Sequence, residues 1–211
     1  DFLTTRPMEI EKKSFEIIKG ELGEEFVSRY PADALPVLCR VIHTTADFSY
    51  RDTLTITEGA IGLAKEAIHQ GLPIITDTTM AASGINKTAA RKFGIDVHCF
   101  IGDEDVKEAA KASGMTRSAV SAEKAARLYS ECIYAVGNAP TALMRLYELI
   151  EEKKIRPALI IGVPVGFVNV VEAKELILRT DVPAIVARGR KGGSNIAAAI
   201  CNALLYEAGG R

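Results

Sequence analysis

The sequence predicts an α/β fold of three layers, with a mostly parallel five-stranded sheet, helices on both of its faces and extra helices at the amino end. Three apolar runs in the second half of the chain support this prediction, because each ends at a glycine-containing loop and is followed by a helical pattern. Strands that alternate with helices in this way are typical of a parallel sheet. The runs are Ile133–Val136, Ala158–Ile161 and Ala184–Ala187.

Two earlier strands are predicted at 72–78 and 97–101, where β-branched and aromatic residues are grouped. Helical patterns surround them, with apolar residues recurring every three or four positions. The predicted helices cover 8–22, 32–43, 58–70, 86–94, 104–112 and 117–130, and one more follows each of the last three strands. The chain has no repeat, low-complexity stretch or linker, so residues 1–211 are interpreted as a single domain.

The composition argues against several classes of protein. The formal net charge is −1, whereas nucleic-acid-binding proteins usually carry a basic excess. No apolar run approaches the ~20 residues of a membrane span, and the amino end has no signal-peptide pattern. The 4 cysteines lie far apart without a CxxC motif, which favours reduced thiols. We therefore expect a cytoplasmic protein without nucleic-acid or membrane partners.

The common motifs of nucleotide, metal and nucleophile chemistry are absent from the sequence. No GxxxxGK[ST], GxGxxG or GxSxG pattern follows a predicted strand. Glu66 and His69 form one E-x-x-H pair on a predicted helix, but no further ligands follow at a recognisable spacing. The sequence therefore predicts neither a metal site nor a nucleotide cofactor.

The loop after the last strand contains groups that suit an acidic ligand. It places Arg188, Arg190 and Lys191 beside Gly192 and Gly193. In a parallel sheet, such loops and the helix N-termini that follow them converge at the carboxyl ends of the strands. Guanidinium groups and free backbone N–H groups bind carboxylates and phosphates. We expect this loop to bind a ligand with several negative groups.

A second position for an anion is predicted where Arg117 and Ser118 begin a helix just after Gly114. Free N–H groups and a guanidinium are combined there. The alternative is a capped helix whose arginine is solvated. Two such positions on one sheet edge indicate a substrate with several acidic groups.

Of the three histidines, His43 has the surroundings that best fit catalysis. It ends an apolar helix and is followed by Thr44, Thr45 and Asp47. A helix C-terminus favours the imidazolium, whereas burial favours the neutral ring, so an acid poised near neutral pH is compatible with both effects. The alternative is a capping or core histidine.

Ser14 lies on the same face of the first predicted helix as Ile10 and Ile18. It is interpreted either as an inward hydroxyl at a pocket or as a hydroxyl bonded back to the carbonyls of its own helix.

Taken together, the segments resemble the precorrin-8X methylmutase family of corrin-ring biosynthesis. The resemblance rests on six motifs that occur in the family's order between Arg6 and Tyr206, so that nearly the whole chain is covered. They are RPMEIEKKSF, VIHTTADF, GMTRSAV, VGNAPTAL, GVPVGFV and RGRKGGS. The last three motifs are highly specific in combination.

The resemblance implies an isomerase that moves a methyl group from C-11 to C-12 of precorrin-8X or cobalt-precorrin-8, giving hydrogenobyrinate or cobyrinate. It implies no added cofactor, a tetrapyrrole substrate, and a homodimer with its active site near the subunit interface. His43 matches the family's catalytic histidine, which is thought to protonate a ring nitrogen and so promote a 1,5-sigmatropic shift.

The family's pocket positions match Ser14 and Arg117, while Asn86 stands where some relatives have threonine. Phe167 is expected to contact the face of the ring, the alternative being a core aromatic. The residues expected to bind substrate are Ser14, Asn86, Arg117, Ser118, Phe167, Arg188, Arg190, Gly192 and Gly193, and no metal ligands are expected.

Two other functions are compatible with the same residues. A corrinoid-binding or carrier protein of this fold would bind the ring without turnover. An unrelated enzyme could act on another polyanionic metabolite. Only conversion of the substrate separates the isomerase from the carrier, because both bind the coloured product.

Overall fold

The computed structural model describes residues 5–210, and its centre is a six-stranded sheet. The strands are β1 (Leu54–Ile56), β2 (Ile74–Thr76), β3 (Val97–His98), β4 (Ile133–Val136), β5 (Leu159–Gly162) and β6 (Ala184–Ala187). Their order across the sheet is β1-β6-β5-β4-β2-β3. Neighbouring strands are parallel except for β1, which is antiparallel to β6. The predicted α/β class with a mostly parallel sheet is confirmed.

Helices cover both faces of the sheet and form the outer two of three layers. In the described range they are α1 (Pro7–Leu22), α2 (Glu24–Arg29), α3 (Leu35–Thr45), α4 (Tyr50–Thr53), α5 (Ala60–His69), α6 (Thr79–Gly84), α7 (Lys87–Arg91), α8 (Glu104–Ser113), α9 (Arg117–Leu128), α10 (Pro140–Glu151), α11 (Val170–Leu178) and α12 (Ser194–Ala208). Helices α1, α3, α5, α6, α7 and α12 pack on one face, and α8 to α11 pack on the other. Within residues 5–210, no helix is long and apolar enough to cross a bilayer.

The central strands are apolar throughout because both of their faces are buried. In β4, Ile133 and Ala135 point into the core beneath α12, whereas Tyr134 and Val136 point into the core beneath α10. Strands covered on both sides by helices have continuous apolar runs rather than alternating ones. This is the pattern that made these strands visible in the sequence.

The prediction of five strands was wrong by one, because β1 was not recognised. β1 has only three residues and pairs with β6 from Leu54 opposite Ala187 to Ile56 opposite Ile185. It lies at the edge of the sheet, where one neighbour is enough to hold a short strand. Three residues are too few for an alternating pattern to stand out from a loop.

The parallel strands follow the doubly wound order, in which the chain starts in the middle and changes direction across the sheet between β2 and β4. The loops after β2, β4, β5 and β6 all follow the carboxyl ends of these parallel strands. We call this end of the sheet the carboxyl edge; it is distinct from the outermost strands β1 and β3. In doubly wound proteins, ligands bind in the crevice at the point where the direction changes.

The predicted first helix is present, but part of its apolar face is not covered by this chain. Ile18 and Leu22 are buried, whereas Ile10 and Ile17 are each 44% exposed and Met8 is 79% exposed. An exposed apolar face on an outer helix is a candidate contact surface for another molecule.

Candidate functional site

The crevice between β2 and β4 is closed by a carboxylate of the protein itself. Asp77 follows β2, is 1% exposed, and accepts hydrogen bonds from the backbone N–H groups of Gly137 (2.8 Å), Asn138 (2.9 Å) and Ala139 (2.8 Å). Burial raises the pKa of Asp77, and the three N–H donors oppose that rise. Asp77 therefore occupies the N-terminal end of α10, where an anionic ligand would otherwise find free donors.

Two glycines allow the loops of the carboxyl edge to pack in direct backbone contact. A Cβ atom on Gly137 would lie 2.6 Å from the Cα of Ser194, and one on Gly192 would overlap the carbonyl oxygens of Val163 and Pro164. Here Gly192 fills a position too narrow for any side chain. The N–H of its neighbour, Gly193, donates to the carbonyl of Val163 at 2.9 Å.

Two of the three cations in the loop after β6 are paired within the chain. Arg188 makes a bidentate ion pair with Glu175, with both N···O distances at 2.8 Å. Lys191 bonds to Asp47 at 2.6 Å, and hydrogen bonds from Lys191 and Ser49 lower the pKa of that carboxyl group to about 2. These contacts fix the two ends of the loop and reduce the charge that Arg188 and Lys191 offer to a ligand.

The third cation, Arg190, lies over an exposed aromatic ring. Its guanidinium carbon is 5.4 Å from the centre of the Phe167 ring, in the loop after β5. Phe167 is 82% exposed, so the interpretation of this residue as a core aromatic is wrong. Val165 and Val168 beside it are 46% and 77% exposed. A guanidinium and an apolar platform thus stand together at the carboxyl edge.

His43 lies in the last turn of α3 with an exposed side chain. The edge of its ring meets Phe15 of α1, with the ring centres 5.3 Å apart. Partial desolvation, assisted by the Arg40 guanidinium, lowers the pKa of His43 below 6.5, and the Glu11 carboxylate acts in the opposite direction. Desolvation and Arg40 together outweigh Glu11, and the lowered pKa makes the imidazolium of His43 a stronger acid.

The position of His43 follows from how α3 packs on α12. Arg40 stacks on Tyr206 near the end of α12, at 5.0 Å from the ring centre, and Asp47 bonds to Lys191 just before α12 begins. The two helices therefore run in opposite directions. The end of α3 that contains His43 points towards the cationic loop of the carboxyl edge.

Arg117 lies at the same edge but on the opposite helical layer. The hydroxyl of Thr116 accepts the N–H of Ala119 (3.2 Å) and donates to the hydroxyl of Thr141 (2.9 Å), which places the beginning of α9 beside the beginning of α10. The helix is thus capped, Arg117 is exposed and Ser118 is half-buried. Across residues 5–210, neither Arg117 nor Arg190 makes an ion pair.

The hydroxyl of Ser14 donates to the carbonyl of Ile10 at 2.8 Å, which is the alternative named above for this residue. The oxygen lone pairs of Ser14 remain able to accept a hydrogen bond. Ser14 directly precedes Phe15, the residue that contacts His43.

Asn86 caps α7 and lies away from the cationic loop. Its side-chain oxygen accepts the N–H of Ala89 (3.0 Å), and its amide nitrogen donates to the hydroxyl of Tyr206 (3.0 Å). Tyr206 follows Ser194, where α12 begins, by about 18 Å along the helix axis. The structure therefore does not bring Asn86 together with Arg190, and it gives this residue a capping role.

Sequence reasoning missed two residues on which the carboxyl edge depends, Asp77 and Lys174. Lys174 is 0% exposed and donates to the carbonyls of Gly189 (2.8 Å) and Lys191 (2.9 Å), and its burial lowers its pKa to about 8. One signal existed, since Lys174 lies on the apolar face of α11 together with Val170 and Ile177. Among residues 5–210, no three His, Cys, Asp or Glu side chains are grouped to bind a metal.

Comparison with known proteins identifies one family. The sequence pattern of the family described as precorrin-8X methylmutase matches residues 9–207. A cobalt-precorrin-8 methylmutase of Leptospira interrogans is 44% identical, over 96% of this chain and 94% of its own length. One of Salmonella typhimurium is 43% identical, over 96% of both chains. The crystal structure of a precorrin-8X methyl mutase from Thermus thermophilus superposes with a TM-score of 0.84 at 38% identity, covering 95% of this chain and 98% of that one.

Proposed function

Because the chain belongs to the precorrin-8X methylmutase family and is therefore an isomerase of cobalamin biosynthesis, we propose that it moves a methyl group from C-11 to C-12 of precorrin-8X or its cobalt form. The observation that carries this proposal is the placement of His43 at the end of α3, which the Asp47–Lys191 bond joins to the loop that contains Arg190, beside Phe167. An acid, a cation and an apolar platform on one edge suit a flat ring with acidic side chains.

His43 is the proposed proton donor. Its imidazolium protonates a ring nitrogen, which draws electrons towards that nitrogen and promotes a 1,5-sigmatropic shift of the methyl group. Substrate and product have the same composition, so the neutral imidazole takes the proton back when the shift is complete. The lowered pKa of His43 supports this role, because it makes the imidazolium a stronger acid.

The remaining site residues are proposed to bind and orient the ring. Arg190 and Arg117 bind carboxylate side chains of the substrate, since both guanidinium groups are exposed. Phe167 provides an apolar wall against the ring face. Holding the macrocycle in a reactive geometry can supply much of the rate gain in a unimolecular shift, because it removes unproductive conformers.

The function is tested by incubating the wild-type protein with precorrin-8X or its cobalt form and monitoring conversion through the visible spectrum. His43→Asn should lower kcat by on the order of 10²- to 10⁴-fold, the usual contribution of a general acid, while the affinity for cobyrinate changes less than about threefold. His69→Asn is the matched control, since His69 is an exposed histidine whose partners are the Ala208 carbonyl at the end of α12 (3.0 Å) and the ring of Phe93, not residues of the proposed site. If the wild-type protein bound the substrate but its visible spectrum did not change, a carrier protein would be favoured instead.

The rate is expected to depend on pH through His43. Because desolvation and Arg40 lower its pKa below 6.5, kcat/KM should be highest at acid pH and fall as the pH rises through that lowered value. Arg40→Met removes the guanidinium whose positive charge lowers the pKa of His43, so the pKa of His43 should rise. The descending limb of the kcat/KM profile should therefore move to higher pH in this variant. A limb that stayed in place or moved to lower pH would rule out His43 as its source.

We also propose that the protein works as a homodimer. The exposed side chains of Met8, Ile10 and Ile17 on α1, close to the helix turn that contacts His43, support a subunit contact beside the site. Sedimentation equilibrium at micromolar concentration should give twice the chain mass of 22.7 kDa. A species of the single chain mass would contradict this proposal.

A further inference from the structure

The side chain of Lys174 is a fully buried ammonium group that binds backbone rather than carboxylate oxygen. It extends from the apolar face of α11, between Val170 and Ile177, and is 0% exposed. Its nitrogen donates to the carbonyl of Gly189 at 2.8 Å and to that of Lys191 at 2.9 Å. A buried charge is costly unless polar groups surround it, so the position of these two carbonyls is strongly constrained.

The two carbonyls that Lys174 binds flank Arg190 on both sides. The carbonyl of Arg190 itself points the other way and accepts the N–H of Gly166 at 3.1 Å. Three consecutive carbonyls are thus fixed, which leaves the backbone at Arg190 little freedom. The side chain of Arg190 is thereby directed to Phe167, in the same loop as Gly166.

Within residues 5–210, Arg190 is also the cation of this loop that no carboxylate pairs with, although its guanidinium lies over the Phe167 ring. Arg188 is held by Glu175 through two bonds of 2.8 Å, and Lys191 by Asp47 through one of 2.6 Å. The next residue on α11 after Lys174 is Glu175, so this helix contacts the loop at two points. Lys174 binds its backbone from within the core, and Glu175 binds Arg188 at the surface.

We propose that Lys174 is a positioning residue for substrate binding, which holds Arg190 and Phe167 in the arrangement that receives a carboxylate and the adjoining apolar ring face. This inference rests on the proposed function. Lys174 does not touch the substrate, and it acts through Arg190.

A purely structural role would give a different kinetic result. Loss of stability reduces the amount of folded protein and therefore the apparent kcat, while the folded fraction keeps its KM. Loss of a correctly placed arginine weakens the binding of the substrate and of the transition state equally, so KM rises and kcat stays the same.

The experiment compares Lys174→Met, Arg190→Gln and the double variant by titration with cobyrinate and by steady-state kinetics. Methionine keeps the length of the apolar stem and removes the donors. Each single variant should raise Kd and KM by about tenfold, as expected for the loss of one charge-assisted contact, with kcat changed less than about twofold. If Lys174 acts through Arg190, the double variant should be at most about twofold weaker than Arg190→Gln.

Ile177→Val is the matched control, because it destabilises the buried face of the same helix without touching the loop. Its KM should equal that of the wild type even where its Tm falls as far as that of Lys174→Met. If Lys174→Met yields no folded protein, Lys174→Gln keeps a neutral donor and is compared in the same way.

Two results would overturn the inference while leaving the proposed function intact. One is a Lys174→Met protein that binds cobyrinate as the wild type does. The other is a double variant about a hundredfold weaker than the wild type, because independent effects multiply. A wild-type protein that bound no cobyrinate would instead contradict the proposed function and this inference with it.

Discussion

Two buried side chains of opposite charge hold the loops of the carboxyl edge, and the arrangement of the site depends on them. Asp77 binds three backbone N–H groups at the start of α10, and Lys174 binds two carbonyls in the loop before α12. Loops usually lie at the surface because their polar backbone needs water. Here the side chains of Asp77 and Lys174 bind backbone groups that would otherwise need water, which allows the loops to pack closely.

This closely packed edge suits a family whose members are methylmutases. The proposed mechanism uses an acid and a fixed geometry, and residues on different elements are the candidates for these two tasks. His43 is placed by α3, which runs antiparallel to α12 and is joined to the cationic loop through Asp47 and Lys191. Arg190 and Phe167 are placed by the loops themselves.

The sequence predicted the parallel strands and most helices, because burial on both faces leaves long apolar runs. It missed β1 (Leu54–Ile56), whose pairing with β6 joins segments far apart in the chain. It gave no sign that Arg188 pairs with Glu175 at 2.8 Å, because the two residues lie on different elements, 13 positions apart in the chain. Lys174 was overlooked because a lysine in a helix usually faces water, and only the three-dimensional contacts show its nitrogen among carbonyls. Apolar patterns in the sequence therefore predict which elements are buried, but they do not predict which distant residues pair.

The most direct test of the account is a crystal structure of the protein with cobyrinate bound. A ring nitrogen is expected within about 3.2 Å of the His43 imidazole, or joined to it by one water, with Arg190 bonded to a ring carboxylate. A ring that lay beyond the reach of the imidazole, with Arg190 still turned towards Phe167 alone, would contradict it.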